Sequence, residues 1–174
     1  HAGGDFDWPH STMYAFTQAA LNGTDVLEMD VVLSSDGVLM VQHDNTVDRL
    51  TNNTGLFASF TASDLQAMDN AYWFSGGVWS DHSLAEDAYI YRGVRTGEVS
   101  PPEGFTADDF GVATFEQVAR AFPDFPLDVF RATEHRVCNK ANRFLVLANS
   151  LVHLSCFNVN FPLKLLTHVL MQVV

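Results

Sequence analysis

Basic charge is scarce in this chain. Its 174 residues hold 9 lysines and arginines against 21 aspartates and glutamates, and no lysine occurs before Lys140. A net charge of -12 argues against nucleic acid and anionic membrane surfaces as partners, because both repel an acidic surface. It is compatible with a metal site, whose cation offsets local repulsion. Cysteine is nearly missing: Cys138 and Cys156 make neither a disulfide framework nor a zinc pattern, and they read as buried thiols. No apolar run reaches the ~18 residues expected of a membrane span, so none is expected. Acidic residues in turn vanish after Glu134. Residues 1–134 therefore read as one text and residues 135–174 as a divergent apolar tail.

What is present suits one domain with a real core, since 47% of the residues are hydrophobic. The most informative stretch is residues 25–44. Glu28 and Asp30 lie within the apolar run Val26, Leu27, Met29, Val31, Val32 and Leu33. Its β-branched content predicts a buried strand. Two residues apart, the two acids point to one face of it. Ser35-Asp36-Gly37 signals a turn. A second strand is expected over residues 38–42, with His43 and Asp44 at its end. Converging carboxylates beside a histidine suit a hard divalent cation and a proton-transfer group.

Around this stretch, His1-Ala2-Gly3-Gly4 is a glycine-rich turn. Ser11 or Thr12 can cap a helix through Met13, Phe16 and Leu21, ended by Asn22-Gly23. Thr61 starts a short helix through Leu65 and Met68. Thr114 caps another over residues 115–122, stopped by Pro123, and a short strand follows over residues 127–130. Alternating helices and apolar strands suggest βαβ units and a mainly parallel sheet. Residues 69–111 carry Trp73, Phe74, Trp79, Tyr89, Tyr91 and Phe105 without a sustained period. They form an irregular insertion, either packed by its own aromatics or serving as a lid or wall over the site.

With these residues in hand, the chain resembles the glycerophosphodiester phosphodiesterase family. The resemblance rests on His1-Ala2-Gly3, Pro9-His10-Ser11-Thr12, Gly23 through Val31 with Glu28 and Asp30, Asp36-Gly37, His43-Asp44 and Asp48-Arg49-Leu50-Thr51. It covers residues 1–55 almost continuously and returns at Thr114-Phe115-Glu116 and Phe122 through Leu127. It implies an α/β fold, a (β/α)8 barrel, that hydrolyses a glycerophosphodiester to glycerol 3-phosphate and an alcohol. It also implies a Ca²⁺ or Mg²⁺ ion held by Glu28 and Asp30, and His1 and His43 as the acid–base pair. His10 and Trp73 are candidates for contact with the substrate.

Several positions depart from the family pattern. Ala2 stands where an arginine usually follows the first histidine, and His10-Ser11 replaces Glu-Asn at the helix start. The third strand of the family ends Asn-x-Glu-x-Lys, and its glutamate is a third carboxylate ligand. The register through Pro126-Leu127-Asp128-Val129 puts Phe130 at that glutamate and Ala132 at the lysine. Asp128, on the same strand face, is a substitute ligand, whereas Glu134 is too far along. A full barrel needs about 200–250 residues, so a partial barrel that does not close is expected, as in a truncated member. Two functions follow: metal-dependent phosphodiester hydrolysis, or a non-catalytic family member that retains at most cation or ligand binding. The chain opens on His1, so any signal peptide lies upstream, and Asn22-Gly-Thr24 and Asn52-Asn-Thr54 fit the glycosylation sequon. An extracellular or periplasmic location is favoured over a cytoplasmic one.

Overall fold

A computed structural model describes residues 1–78, 80–130 and, as backbone alone, 131 and 143–147. Trp79, Ala132, Glu134 and nearly all of the tail expected from residue 135 lie outside the described residues. Helix α1 spans Met13–Leu21, α2 Ala62–Ala67 and α3 Phe115–Ala121. Strands β1 (Leu27–Leu33), β2 (Leu39–Val41), β3 (Pro126–Arg131) and β4 (Arg143–Leu147) form one open sheet in the order β2-β1-β3-β4.

The helices begin where the sequence places caps. Thr12 accepts from the Ala15 amide at 3.1 Å. Thr61 and Thr114 make reciprocal capping boxes with Asp64 and Gln117. Each cap satisfies amide donors that the first helical turn leaves open, typically worth ~1 kcal/mol.

The sheet corrects one expectation. Only β1 and β3 pair in parallel; β1–β2 and β3–β4 are antiparallel. The reason for the first pair is loop length. Residues 34–38 make a tight turn, with the Ser34 amide bonded to the Val38 carbonyl at 3.0 Å and Gly37 at φ 82. A parallel partner would need a crossover of about a dozen residues or more. The long route from β2 to β3, through α2, the insertion and α3, does return in parallel beside β1.

Strand β1 alternates. Leu27, Met29 and Val31 are buried, whereas Glu28 and Asp30 are half-buried. The apolar face joins Phe16 of α1, Phe115 and Val118 of α3, and Leu127 and Val129 of β3 in the main core. Full burial of each such side chain contributes roughly 1.5–3 kcal/mol before entropy is counted. Helix α1 is clamped from two sides. Phe16 faces the sheet core, while Tyr14 enters a second cluster with Ala71, Val94 and Phe110 of the insertion. Tyr14 stacks on Phe110 at 4.6 Å, and its hydroxyl bonds that of Tyr91 at 2.9 Å. Among the described residues, segment 69–111 is packed by its own aromatics and tied to α1, with short 3-10 turns at Glu86–Ala88 and Ala107–Phe110.

Candidate active site

Three local devices bring the candidate residues together. First, the pleat of β1 turns Glu28 and Asp30 to the face opposite the core. Second, β2 runs back along β1, and the Gln42 amide bonds the Asp30 carbonyl at 3.0 Å. His43 therefore emerges beside Asp30. Third, the glycine loop folds His1 over the end of β1. The Ala2 amide donates to Glu28 Oε2 at 2.9 Å, and the Ser11 amide donates to the Ala2 carbonyl at 2.9 Å. Only glycine suits position 3: φ is +84, and a Cβ there would lie 2.9 Å from both the Ala15 Cβ and the Phe16 nitrogen. Ala2 and Ser11 themselves sit at φ 46 and 62. Such left-handed backbone costs an ordinary residue about 1–2 kcal/mol, and strain of this kind gathers at functional sites.

The His1 and His43 rings meet edge to face, with centroids 5.9 Å apart. One ligand atom each from His1, Asp30 and His43 lie within 4.8 Å of one another. Glu28 Oε2 is 3.9 Å from His1 Nε2. Behind the rings runs a circuit of polar groups. Asp5 Oδ2 meets His1 Nδ1 at 3.0 Å, and Asp5 Oδ1 lies 3.8 Å from His10 Nε2. Arg49 Nη1 donates to His10 Nε2 at 2.9 Å, and Arg49 Nε donates to Asp44 Oδ2 at 2.5 Å. Asp44 Oδ1 then reaches His43 Nδ1 at 2.7 Å, closing the circuit.

The electrostatics follow from these contacts. The Asp5 hydrogen bond raises the pKa of His1 against its partial burial, and the charges of Glu28, Asp5 and Asp30 add to the effect. The Asp44 hydrogen bond does the same for His43, again against burial. Burial pushes Asp44 upward, but hydrogen bonds from His43 and Arg49 outweigh it and hold the carboxyl at about 2. Burial pushes Asp30 up to about 6, with Glu28 adding and the two imidazoles opposing. Burial, aided by the Arg49 charge, drops His10 to about 3. His10 is therefore neutral: Nε2 accepts from Arg49, and Nδ1 carries the proton toward Ser11 Oγ at 3.0 Å.

The structure groups His1, Asp30 and His43, with Glu28 beside them, Oε2 lying 3.9 Å from His1 Nε2. His10 lies one shell back, buried and engaged with Arg49. Asp128 is buried in register with Glu28, and Phe130 pairs with Asp30; Asp128 is not among the grouped ligand atoms. Trp73 belongs to the insertion's aromatic cluster. Its indole N–H donates to the Thr51 carbonyl at 2.9 Å, and its ring stacks on His82 at 4.2 Å. Sequence reasoning gave no role to Asp5, Asp44 or Arg49. The last two stand in the motifs His43-Asp44 and Asp48-Arg49, but Asp5 carries no periodic or motif signal.

The grouped ligand atoms, one carboxylate oxygen from Asp30 and a nitrogen each from His1 and His43, can hold a divalent cation; Glu28 is not among them. Residues 1–159 match the Glycerophosphoryl diester phosphodiesterase family. The chain belongs to that family. Relatives within it include human Glycerophosphodiester phosphodiesterase 1, 41% identical over 71 residues, which are 41% of this chain and 22% of the human protein. The Glycerophosphodiester phosphodiesterase of Caldanaerobacter subterraneus is 42% identical over 69 residues, 40% of this chain and 28% of that protein. Among solved structures, a glycerophosphoryl diester phosphodiesterase domain from Mycobacterium tuberculosis superposes with a TM-score of 0.59 at 25% identity. That match covers 75% of this chain and 41% of the other. The chain thus spans less than half the length of the relatives it matches. As a member of this family, it has a mixed α/β fold whose open sheet is part of a (β/α)8 barrel. No helix among the described residues is long and apolar enough to cross a membrane.

Proposed function

We propose that this family member serves the metal-dependent hydrolysis of glycerophosphodiesters to glycerol 3-phosphate and an alcohol, with His1 and His43 as the acid–base pair. The observation that carries this reading is the pair of imidazoles 5.9 Å apart over a strand face bearing Glu28 and Asp30. Glu28 and Asp30 would hold a Ca²⁺ or Mg²⁺ ion, which when bound neutralises the phosphodiester charge and polarises its P–O bond. One imidazole takes the proton of the attacking oxygen, and the other gives a proton to the departing alkoxide. Asp5 and Asp44 keep both rings aimed, and Arg49 ties Asp44 to His10. Positioned acid–base groups of this kind contribute typically about 10²–10⁴ in rate. Asp128 is a reserve ligand in this reading, and the insertion bearing Trp73 is the wall nearest the Arg49 loop. The relatives' names support the substrate class.

A second reading has its own observation. Phe130 stands in register with Asp30, where the family resemblance places a third carboxylate, and phenylalanine cannot ligate a cation. In that reading the protein binds a cation or ligand without turnover. Phosphorus NMR of a glycerophosphodiester incubated with the intact protein and Mg²⁺ or Ca²⁺ separates the two. Growth of a phosphomonoester signal that a chelator stops supports hydrolysis. Cation binding with an unchanged diester signal supports the second reading.

A further inference from the structure

We propose that Asp5 is a positioning residue for His1, holding Nδ1–H so that Nε2 is the nitrogen that exchanges a proton with the substrate. This rests on the acid–base reading above. Three observations on the geometry carry it. Asp5 is one carboxylate with one committed oxygen: Oδ2 meets His1 Nδ1 at 3.0 Å, while Oδ1 is buried with no hydrogen-bond partner. Its other neighbour, His10, presents an acceptor nitrogen to Arg49 and has no N–H to offer on that side. Asp5 thus spends its hydrogen bonding on His1, whereas Asp44 divides its own between His43 and Arg49.

The loop is shaped to hold Asp5 there. The Gly4 amide bonds the His1 carbonyl at 2.8 Å, and the Asp7 and Trp8 amides bond the Gly4 carbonyl at 2.9 and 2.8 Å. A Cβ on Gly4 would lie 2.8 Å from Trp8 Cδ1. Asp5 is bracketed by these turns four residues from His1, and its side chain folds back onto the His1 ring. With Nδ1 committed, Nε2 is the ring atom turned to the carboxylate face, 3.9 Å from Glu28 Oε2. A carboxylate behind an imidazole fixes tautomer and ring orientation, as outer partners of functional histidines do.

The test is nitrogen-15 NMR of the imidazole side chains in the intact protein, with the His1 signals assigned by their loss in His1→Ala. It is run on wild type, Asp5→Ala and Asp5→Asn, alongside kcat and KM for a glycerophosphodiester. Asp5→Asn keeps the volume, so it remains readable if Asp5→Ala fails to fold; its amide can accept from Nδ1–H or donate to bare Nδ1 and so no longer selects one tautomer. The expected result is a neutral His1 protonated at Nδ1 in wild type and a mixture in the variants. With it comes a fall in kcat of about 10–100-fold at unchanged KM. An active wild type whose variants keep both tautomer and kcat overturns the assignment of Asp5 and leaves the phosphodiesterase reading standing. A tautomer change in a protein that never cleaves the diester does the reverse.

Discussion

The two halves of the site are built differently. On the imidazole half, each ring has its own carboxylate, Asp5 at 3.0 Å and Asp44 at 2.7 Å, and Arg49 bonds both Asp44 and His10, whose ring lies 3.8 Å from Asp5. On the cation half, Asp30 pairs across the sheet with Phe130, and Asp128 stands beside Glu28 instead. On the proposed roles, orienting proton-transfer groups and ligating a cation are separable tasks. The first is solved locally, by the glycine loop and the turns that follow β2. The second depends on which side chain a strand a hundred residues away in the chain brings into register.

Breaking the braced half carries the largest expected effect. His43→Ala should lower kcat for a glycerophosphodiester by about 10²–10⁴, read in a steady-state assay with saturating cation. Next comes the backbone beneath it. Gly3→Ala should cost ~2 kcal/mol or more, because φ +84 and a 2.9 Å approach to α1 leave no room for a methyl group. Chemical denaturation measures this loss, and a parallel fall in turnover would tie the loop to His1.

The cation half responds to pH in a defined direction. Asp30 is raised to about 6, so protons compete for it below that value. Lowering the pH from 7 to 5 should weaken cation affinity about tenfold by calorimetric titration. With the site empty of cation, the same raised value means that stability owed to protonated Asp30 is present below its unfolded value near 4. It is lost as pH rises through about 6, and adding the cation should restore it. The smallest expected change sharpens the comparison. Phe130→Glu puts a third carboxylate beside Asp30 and should tighten cation binding severalfold. If affinity does not rise, the register between β1 and β3 does not limit the cation half.

Much of this was legible in the chain. Glu28 and Asp30 declare themselves because they are two apart in an apolar run, and a strand period of two admits one outcome for them. The caps at Thr12, Thr61 and Thr114 are equally local. The antiparallel pairing of β2 was hidden by the general βαβ pattern, although the five-residue turn over 34–38 already forbade a crossover. Asp5 was invisible for a different reason. Its role comes from a reversal at Gly3 and Gly4 that brings residue 5 back to residue 1, and no periodicity reports such a fold-back. His10 read as a loop residue open to substrate because its burial depends on Arg49, 39 positions away, and on the insertion whose Asn70 amide donates to its carbonyl.

The most direct test is the rate at which Asp30→Asn cleaves a glycerophosphodiester, compared with wild type in saturating Mg²⁺ or Ca²⁺. Turnover is expected in wild type and its loss in the variant, together with weaker cation binding. Equal rates in the two proteins would contradict a role for Asp30 in holding the cation.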